Sequence, residues 1–361
     1  MTSEQQETPA YRHLREPDEW YRGFARHLAD APQGKPLRTL FPVPKDADDA
    51  LQRHRYILSR AVVNPPLEHA IADAVGRYGR EVLGVPQALA DAAAEQAGDR
   101  LADRGWTPLP AYGADRVRGL KVALEGLPLY AKDGTRDAPQ VTREEARARY
   151  NIATYRAEDL LRLPEVVAFV TAPDALAAAE RYLGAPPMLI VLQAWWSFAG
   201  HAAKEAQLFH LDIDDHRFCK QFLFLTDVDA ESGPHAYVER THRPQDVGAI
   251  IARGHGETEQ KAIFDWLYQT LRKSDEDVAR YTGKEPTLID GPAGTRFLAA
   301  TRGLHKGVAP ERRDRLLLQA TYGITPAAAK RAADLPASAL AAGALDPPND
   351  HLLWLFVDPT R

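Results

Sequence analysis

Apolar residues follow two different patterns along the chain. Positions 11–186 mostly show the spacing of amphipathic helices, whereas the segments after two consecutive prolines are short, apolar and separated by turn-forming residues. Within the first part, Thr142 and Glu145 predict a capping box at a helix start. A second helix is predicted to begin near Pro173 and to end at Gly184, because proline favours the first helical position and glycine the end.

The second part of the chain predicts an all-strand core with one helical insertion. Strands are predicted over 189–198, 207–213, 217–228, 236–238, 287–289, 295–300, 305–308 and 315–322. Many short strands separated by turn-forming residues indicate a β-sandwich or a jelly roll. The insertion, 246–285, contains a helix over 257–273 with Ile263, Trp266, Leu267 and Leu271 at helical spacing. This helix either walls the mouth of a pocket or packs on the outside of a sheet.

Composition excludes several classes of protein. The chain has 361 residues, 45% of them hydrophobic and 26% charged, with a net charge of −5 and no basic block, which argues against nucleic-acid binding. A single cysteine, Cys219, allows neither an intrachain disulfide nor a cysteine-based zinc cluster, and we expect it to be a small buried side chain. No apolar run is long enough to span a membrane, and residues 1–10 read as a disordered tail, so a cytoplasmic protein is expected.

Three residues suggest a metal site. His210 and Asp212 are two positions apart on a predicted strand, so their side chains leave the same face. His305 follows 95 positions later, and a jelly roll brings such distant strands together. Two imidazoles and one carboxylate bind one face of an octahedral iron(II) ion and leave the other face open for chemistry.

Other residues compete for the same role. Asp214 shares the phase of Asp212 and is the alternative carboxylate. The remaining histidines of this region are expected to be loop or surface residues: His201, His216, His235, His242 and His255.

An arginine downstream predicts an anion anchor. Arg315 begins an alternating strand ten positions after His305, and a guanidinium binds a carboxylate through two charge-assisted hydrogen bonds. Arg313 shares its phase and is the runner-up, whereas Arg312 is assigned to the turn. Lys220 either assists the anion or projects from the outer face of its strand, and Gln193 shares a face with Trp195 on another strand.

At these residues the chain resembles the phytanoyl-CoA dioxygenase family of Fe(II)/2-oxoglutarate-dependent oxygenases. The similar segments include Phe209-His210-Leu211-Asp212, Ser232-Gly233-Pro234 and the segment 305–315. The chain departs from the family pattern at Arg240-Thr241-His242, where Gly-Ser-His is common, and at Gly307, where members often have a serine. Asp212 argues against the halogenating relatives, which replace this acid.

The resemblance implies an α+β fold, with a double-stranded β-helix (jelly-roll or cupin-like) core and a mostly helical N-terminal half packed outside it. One oxygenase domain would cover 11–361, with helical support in 11–186, the core in 187–325 and a C-terminal extension in 326–361. The resemblance implies iron bound by His210, Asp212 and His305, and 2-oxoglutarate held by Arg315, with Gln193 and Lys220 as further candidates. Dioxygen and 2-oxoglutarate would be consumed to hydroxylate a small molecule, with release of succinate and carbon dioxide.

Two other functions remain open at the level of sequence. A non-catalytic or isomerase-type cupin would keep the histidines but would not need Arg315 as an anion anchor. A plain interaction module would bind no specific metal. Neither the substrate nor the oligomeric state follows from the sequence.

Overall fold

The protein is described by a computed structural model. The structure describes residues 17–30, 65–131, 138–326, 335–346 and 348–358. The predicted tail, 1–10, and residues 327–334 of the predicted C-terminal extension lie outside these ranges.

Helices dominate the described part of the first half. They are α1 (Pro17–Asp30), α2 (Pro65–Arg77), α3 (Ala92–Arg104), α4 (Ala114–Glu125), α5 (Arg143–Arg149), α6 (Ala157–Leu160), α7 (Pro164–Val170) and α8 (Pro173–Leu183). The capping box at the start of α5 is confirmed, because Thr142 and Glu145 exchange side-chain to backbone hydrogen bonds. Gly184 ends α8 in the left-handed conformation at φ 73°, also as predicted.

The first half also contains four short strands that the helical prediction for 11–186 missed. They are β1 (Trp106–Leu109), β2 (Leu129–Ala131), β3 (Gln140–Val141) and β4 (Ile152–Tyr155). Strands of two to four residues are too short to show a recognisable alternation. β1 also contains Pro108, which is tolerated because β1 is an edge strand.

The second half supplies the remaining strands and four more helices. The strands are β5 (Met188–Ser197), β6 (Phe218–Phe224), β7 (His235–Tyr237), β8 (Thr287–Ile289), β9 (Arg296–Ala299), β10 (His305–Gly307), β11 (Arg315–Gly323), β12 (Leu335–Pro336) and β13 (Val357–Asp358). The helices are α9 (Pro244–Ile251), α10 (Glu257–Gln269), α11 (Asp275–Thr282) and the short α12 (Asn349–Leu352). The fold is therefore a mixture of helices and antiparallel sheet, which agrees with the predicted α+β class.

Two antiparallel sheets enclose the centre of the molecule. The larger has the order β1-β9-β6-β11-β5-β4-β2-β3, and the smaller has the order β10-β7-β8. An aromatic-rich cluster containing Phe222, Phe297, Tyr237 and Ile289 joins the two sheets. The sheets therefore face each other, with a shared interior between them.

The alternation predicted for β11 is present and separates two environments. Leu316, Leu318, Ala320 and Tyr322 belong to the main hydrophobic core, which also contains residues of the helices α7 and α8. Arg315, Leu317 and Gln319 point the other way and line a cavity between the sheets. One face of the large sheet therefore holds the helices, and the other face is available for a site.

The three helices α9–α11 lie between β7 and β8 in the chain and pack on the small sheet. Ile263, Trp266 and Leu267 are buried there with Ala236 of β7. The predicted helix over 257–273 instead ends at Gln269, and Leu271 is 72% exposed rather than buried. Among the described residues, no helix combines the length and apolar character needed to cross a membrane.

A buried carboxylate fastens the end of β11 to the segment that follows the candidate metal ligands. Asp215 accepts hydrogen bonds from the backbone N–H groups of His216, Ile324 and Thr325 and from the hydroxyl of Thr325, at 2.6–2.9 Å. Burial raises its pKa to about 6.

Asp215→Ala is expected to lower the free energy of unfolding by about 3 kcal/mol or more, since it leaves several buried donors without partners. Denaturant unfolding followed by circular dichroism measures this loss. The control is Asp290→Ala, because Asp290 is exposed and its removal is expected to cost about 0.5 kcal/mol or less. Equal unfolding midpoints for the two variants would contradict the role of Asp215.

Candidate metal centre

The segment that carries His210 and Asp212 is not the regular strand that was predicted for 207–213. A short 3₁₀ turn, Glu205–Gln207, comes first, and His210 then forms an isolated antiparallel bridge with His305. Two backbone hydrogen bonds of 3.0 and 3.2 Å join these two histidines. The backbone of Asp212 leaves this pairing and donates to the carbonyl of Thr301 at 3.0 Å. The chain then turns, because the carboxylate of Asp215 holds the following residues.

Backbone carbonyls orient both histidine rings. Nδ1 of His210 lies 2.9 Å from the carbonyl oxygen of Leu208, and Nδ1 of His305 lies 2.9 Å from that of Gly303. A carbonyl oxygen can only accept, so Nδ1 donates in both cases and each neutral ring presents a lone pair at Nε2. Such a bond on the far nitrogen is typical of metal-ligating histidines.

The three predicted ligands converge. Nε2 of His210 lies 3.4 Å from Oδ1 of Asp212, and Nε2 of His305 lies 3.2 Å from Oδ2 of the same carboxylate. The ligand atoms of the three residues all lie within 4.8 Å of one another. The structure thus brings together residues 95 positions apart, as the sequence argument required.

Lys220 points into this cluster, so it does not project from the outer face of its strand. Its ammonium lies 2.6 Å from Oδ2 of Asp212 and 2.9 Å from Oδ2 of Asp214. Asp214, the alternative carboxylate, is therefore paired with Lys220 and is not part of the three-residue cluster.

Charge in the cluster follows from these contacts. Burial opposes ionisation of Asp212, but the ammonium of Lys220 and the neighbouring histidines outweigh burial and hold its pKa well below the usual value. Burial also opposes the charge of Lys220, yet its two acidic partners raise its pKa. Burial lowers the pKa of His210. The site therefore presents a carboxylate and a neutral imidazole at neutral pH, which are the forms that bind metal.

The donor set fits a divalent transition metal. Two imidazole nitrogens and one carboxylate oxygen are suited to iron(II), and the pre-oriented Nε2 atoms face the same carboxylate. Three protein ligands leave coordination positions free for other ligands.

Arg315 lies in the same cavity as the cluster and is 3% exposed. One of its terminal nitrogens donates to the hydroxyl of Ser197 at 3.5 Å, and its buried Nε has no hydrogen-bond partner in the described part of the chain. Within the described ranges, no carboxylate forms an ion pair with it. Burial lowers the pKa of its guanidinium to about 10, so the group remains charged at neutral pH without an anion to balance it.

The other candidates for the anion anchor are placed differently. Arg313 is half exposed and pairs with Asp229 and Glu231 outside the cavity. Arg312 pairs with Glu231 at the surface, in agreement with its assignment to the turn. Gln193 lines the cavity from β5, opposite Gln319 in the sheet.

The cavity between the sheets has a volume of about 1130 Å³. Its floor is the inner face of the large sheet, which contributes Trp195, Phe222, Phe224 and Gln319. Its rim includes Ile213 and Leu271, which are 67% and 72% exposed, and the cationic Arg149, Lys204 and Arg272. The predicted helix 257–273 thus contributes to this rim only through the residues that follow its observed end.

Three of the histidines that were expected in loops or at the surface are buried. His216 and His242 bond to the carbonyls of Glu68 and Ala102, and burial lowers the pKa of each to about 4. These hydrogen bonds indicate that both histidines have a structural role. His201 and His255 are not buried, as expected.

The third, His235, lines the cavity and was missed. Its ring stacks on that of His305 at 5.6 Å between centroids, and burial lowers its pKa well below the usual value. The available signal was the Gly233-Pro234 turn, which starts the strand that pairs with β10. Sequence alone did not give that pairing.

The remaining side chains that were singled out are divided between cavity and core. Trp195 faces the cavity, whereas Trp196 is buried in the main core and donates from its indole to Tyr155 at 3.2 Å. Trp266 packs beside the small sheet. Cys219 is fully buried in the main core, which confirms the expectation of a small hydrophobic side chain.

Comparison with known proteins gives only distant structural matches. No family model and no curated protein matches the sequence. Among solved structures, the non-haem α-ketoglutarate-dependent epimerase SnoN from nogalamycin biosynthesis is 16% identical, with 64% of this chain and 83% of that chain covered and a TM-score of 0.42. The carbocyclase SnoK from the same biosynthesis is 16% identical, with 63% and 82% covered and a TM-score of 0.40.

A third similar structure is HygX from Streptomyces hygroscopicus with nickel and 2-oxoglutarate bound. It is 14% identical, with 63% of this chain and 86% of that chain covered and a TM-score of 0.41. The first two proteins are thus non-haem α-ketoglutarate-dependent enzymes, and the third binds nickel and 2-oxoglutarate. At this distance the matches assign the chain to no family.

Proposed function

We propose that this protein is an Fe(II)/2-oxoglutarate-dependent oxygenase that hydroxylates a small molecule. The observation that carries the proposal is a cavity lined by both a His-Asp-His cluster and a buried guanidinium that has no acidic partner among the described residues. The cluster suits the metal, and the guanidinium suits a carboxylate. A 2-oxo dicarboxylic acid carries both a chelating end and a distal carboxylate, so it matches the two features at once.

We further propose that the strands form a double-stranded β-helix of the phytanoyl-CoA dioxygenase type. Two facing antiparallel sheets, with the cluster at their interior, support this architecture. The core would lie in 187–325, supported by the helices of 11–186 and extended by 326–361. On this proposal α9–α11 are an insertion between two core strands, in the predicted region 246–285.

Each residue of the candidate site would have a separate role in catalysis. Iron(II) bound with 2-oxoglutarate and dioxygen supplies oxidation of a C–H bond, coupled to decarboxylation of the 2-oxo acid to succinate. His210, Asp212 and His305 would hold the metal, and the carbonyls of Leu208 and Gly303 keep Nε2 of each histidine free. Lys220 orients Asp212 through its ion pair. Arg315 would bind the distal carboxylate and so fix the orientation of the co-substrate.

The substrate would occupy the rest of the cavity. A volume of about 1130 Å³ is slightly larger than that of most ligand pockets, so a five-carbon acid fills only a small part of it. The lining combines an aromatic ring, Trp195, with amide groups such as Gln193 and Gln319. This mixture supports a ring-bearing, polar small molecule of the secondary-metabolite kind.

The experiment that tests the function is substrate-independent turnover of 2-oxoglutarate. Purified protein with iron(II), 2-oxoglutarate and dioxygen is expected to form succinate, and omission of any one of the three should stop it. Protein that tightly binds zinc or nickel and shows neither 2-oxoglutarate binding nor succinate formation would refute the proposal. Such a result would favour a non-catalytic cupin.

A further inference from the structure

His235 is fixed in place by both the backbone and its neighbours. It begins β7, where its backbone lies opposite Gly307 of β10 on one side and Ile289 of β8 on the other. Its ring packs against Phe222 and Phe297, with centroids 4.9 and 5.4 Å away. These aromatic neighbours offer no hydrogen-bond acceptor of ordinary strength. They therefore fix the position of the imidazole ring but do not provide a hydrogen-bond partner for its nitrogen atoms.

The imidazole has a buried nitrogen that no described residue satisfies. His235 is 6% exposed, and its Nε2 forms no hydrogen bond to any residue that the structure describes. Buried polar groups are nearly always paired, because an unpaired one keeps the full cost of losing water. His235 lines the cavity, so a molecule bound there can supply the missing partner.

His235 lies beside both parts of the candidate site. Its ring stacks at 20° on His305, and Gly307, its partner in the sheet, is adjacent to the guanidinium of Arg315. A Cβ built on Gly307 would lie 3.0 Å from a terminal nitrogen of Arg315. Gly307 contributes no side-chain donor of its own. Among the described residues, Nε2 of His235 and Nε of Arg315 are thus two buried donors without partners that line the same cavity.

We propose that His235 is a further co-substrate-binding residue, which donates a hydrogen bond from Nε2 to a carboxylate oxygen of 2-oxoglutarate. The inference rests on the proposed function. A carboxylate only accepts hydrogen bonds, so the ring binds as the neutral tautomer with its proton on Nε2. His235 is outside the three-residue metal cluster, and its role is separate from those of His210 and His305.

The test measures binding rather than turnover. Calorimetry under anaerobic conditions would give the affinity of manganese-loaded wild type, His235→Phe and His235→Gln for 2-oxoglutarate, and separately the affinity of each protein for manganese. Phenylalanine keeps a flat ring but has no donor, so its affinity for 2-oxoglutarate is expected to fall about tenfold or more, whereas glutamine restores part of the loss. Manganese affinity should change less than about twofold, because the three ligands remain.

The outcomes separate the two proposals. Wild-type protein that binds manganese but not 2-oxoglutarate would overturn the proposed function. Wild-type binding that is matched by His235→Phe would overturn only the role of His235. A parallel loss of manganese affinity would also overturn it, since His235 would then support the metal. Thermal unfolding shows which variants are folded, and His235→Met takes the place of His235→Phe if the latter is not.

Discussion

Asp212→Ala is expected to abolish iron-dependent formation of succinate from 2-oxoglutarate and to weaken metal binding by more than about 100-fold. Loss of a residue that merely orients a metal ligand typically costs 10–100-fold, and Asp212 is the only carboxylate in the three-residue cluster. Without it, two imidazoles would bind the metal, and the ammonium of Lys220 would keep Asp214 as its acidic partner. Metal affinity is measured by titration with manganese, and turnover by succinate formation.

Asp214→Ala is the matched control for this prediction. Asp214 lies two positions away and also pairs with Lys220, but it is not in the cluster. Its loss is expected to reduce metal affinity far less than the loss of Asp212. Equal metal affinity and equal turnover in wild type and Asp212→Ala would refute the metal site. A loss of metal affinity in Asp214→Ala as large as that in Asp212→Ala would instead indicate that Asp214 is the metal ligand.

Arg315→Ala is expected to raise the concentration of 2-oxoglutarate needed for half-maximal turnover by about 10-fold to 150-fold. A hydrogen bond to a charged group contributes about 1.5–3 kcal/mol, and the guanidinium of Arg315 is a buried cation that lines the cavity. Arg315→Lys should recover only part of the loss, because an ammonium cannot form two parallel bonds to a carboxylate. Steady-state kinetics with varied 2-oxoglutarate give this value, and calorimetry separates binding from the later steps.

Arg313→Ala is the control, since Arg313 is half exposed and pairs with Asp229 outside the cavity. It should leave the requirement for 2-oxoglutarate unchanged. An unchanged requirement in Arg315→Ala would instead transfer the anchoring role to Lys220. The protein itself should tolerate the loss of Arg315, because burial lowers the pKa of the guanidinium to about 10 and therefore opposes its charge.

The parts of the fold with a strong local signal were predicted from the sequence. Side chains of β11 alternate between two environments, because one face of the strand packs against helices and the other borders the cavity. The strand has nine residues, which is long enough for this alternation to be recognised in the sequence. The capping box of Thr142 and the glycine end of α8 depend only on neighbouring residues. The proximity of His210, Asp212 and His305 was predicted because these three residue types are specific in combination, although no local pattern joins them.

The parts that failed depend on distant contacts. The segment 207–213 has the composition of a strand, but Asp212 leaves the sheet to bond with Thr301, and Asp215 is held by residues more than 100 positions away. The same holds for His235, whose burial results from the pairing of β7 with β10. The direction of Lys220 was left open for the same reason, since only the position of Asp212 decides it.

The hydrogen bonds of Asp215 have a consequence for the mobility of the candidate site. They fasten the segment that follows Asp212 to Ile324 and Thr325, just beyond one end of β11, whereas Arg315 begins the other end. β11 is paired with a strand on each side, so both of its ends belong to the same sheet. Under the proposed function, the loop that carries Asp212 therefore has little freedom to move relative to Arg315, and the two binding groups are positioned before any ligand arrives.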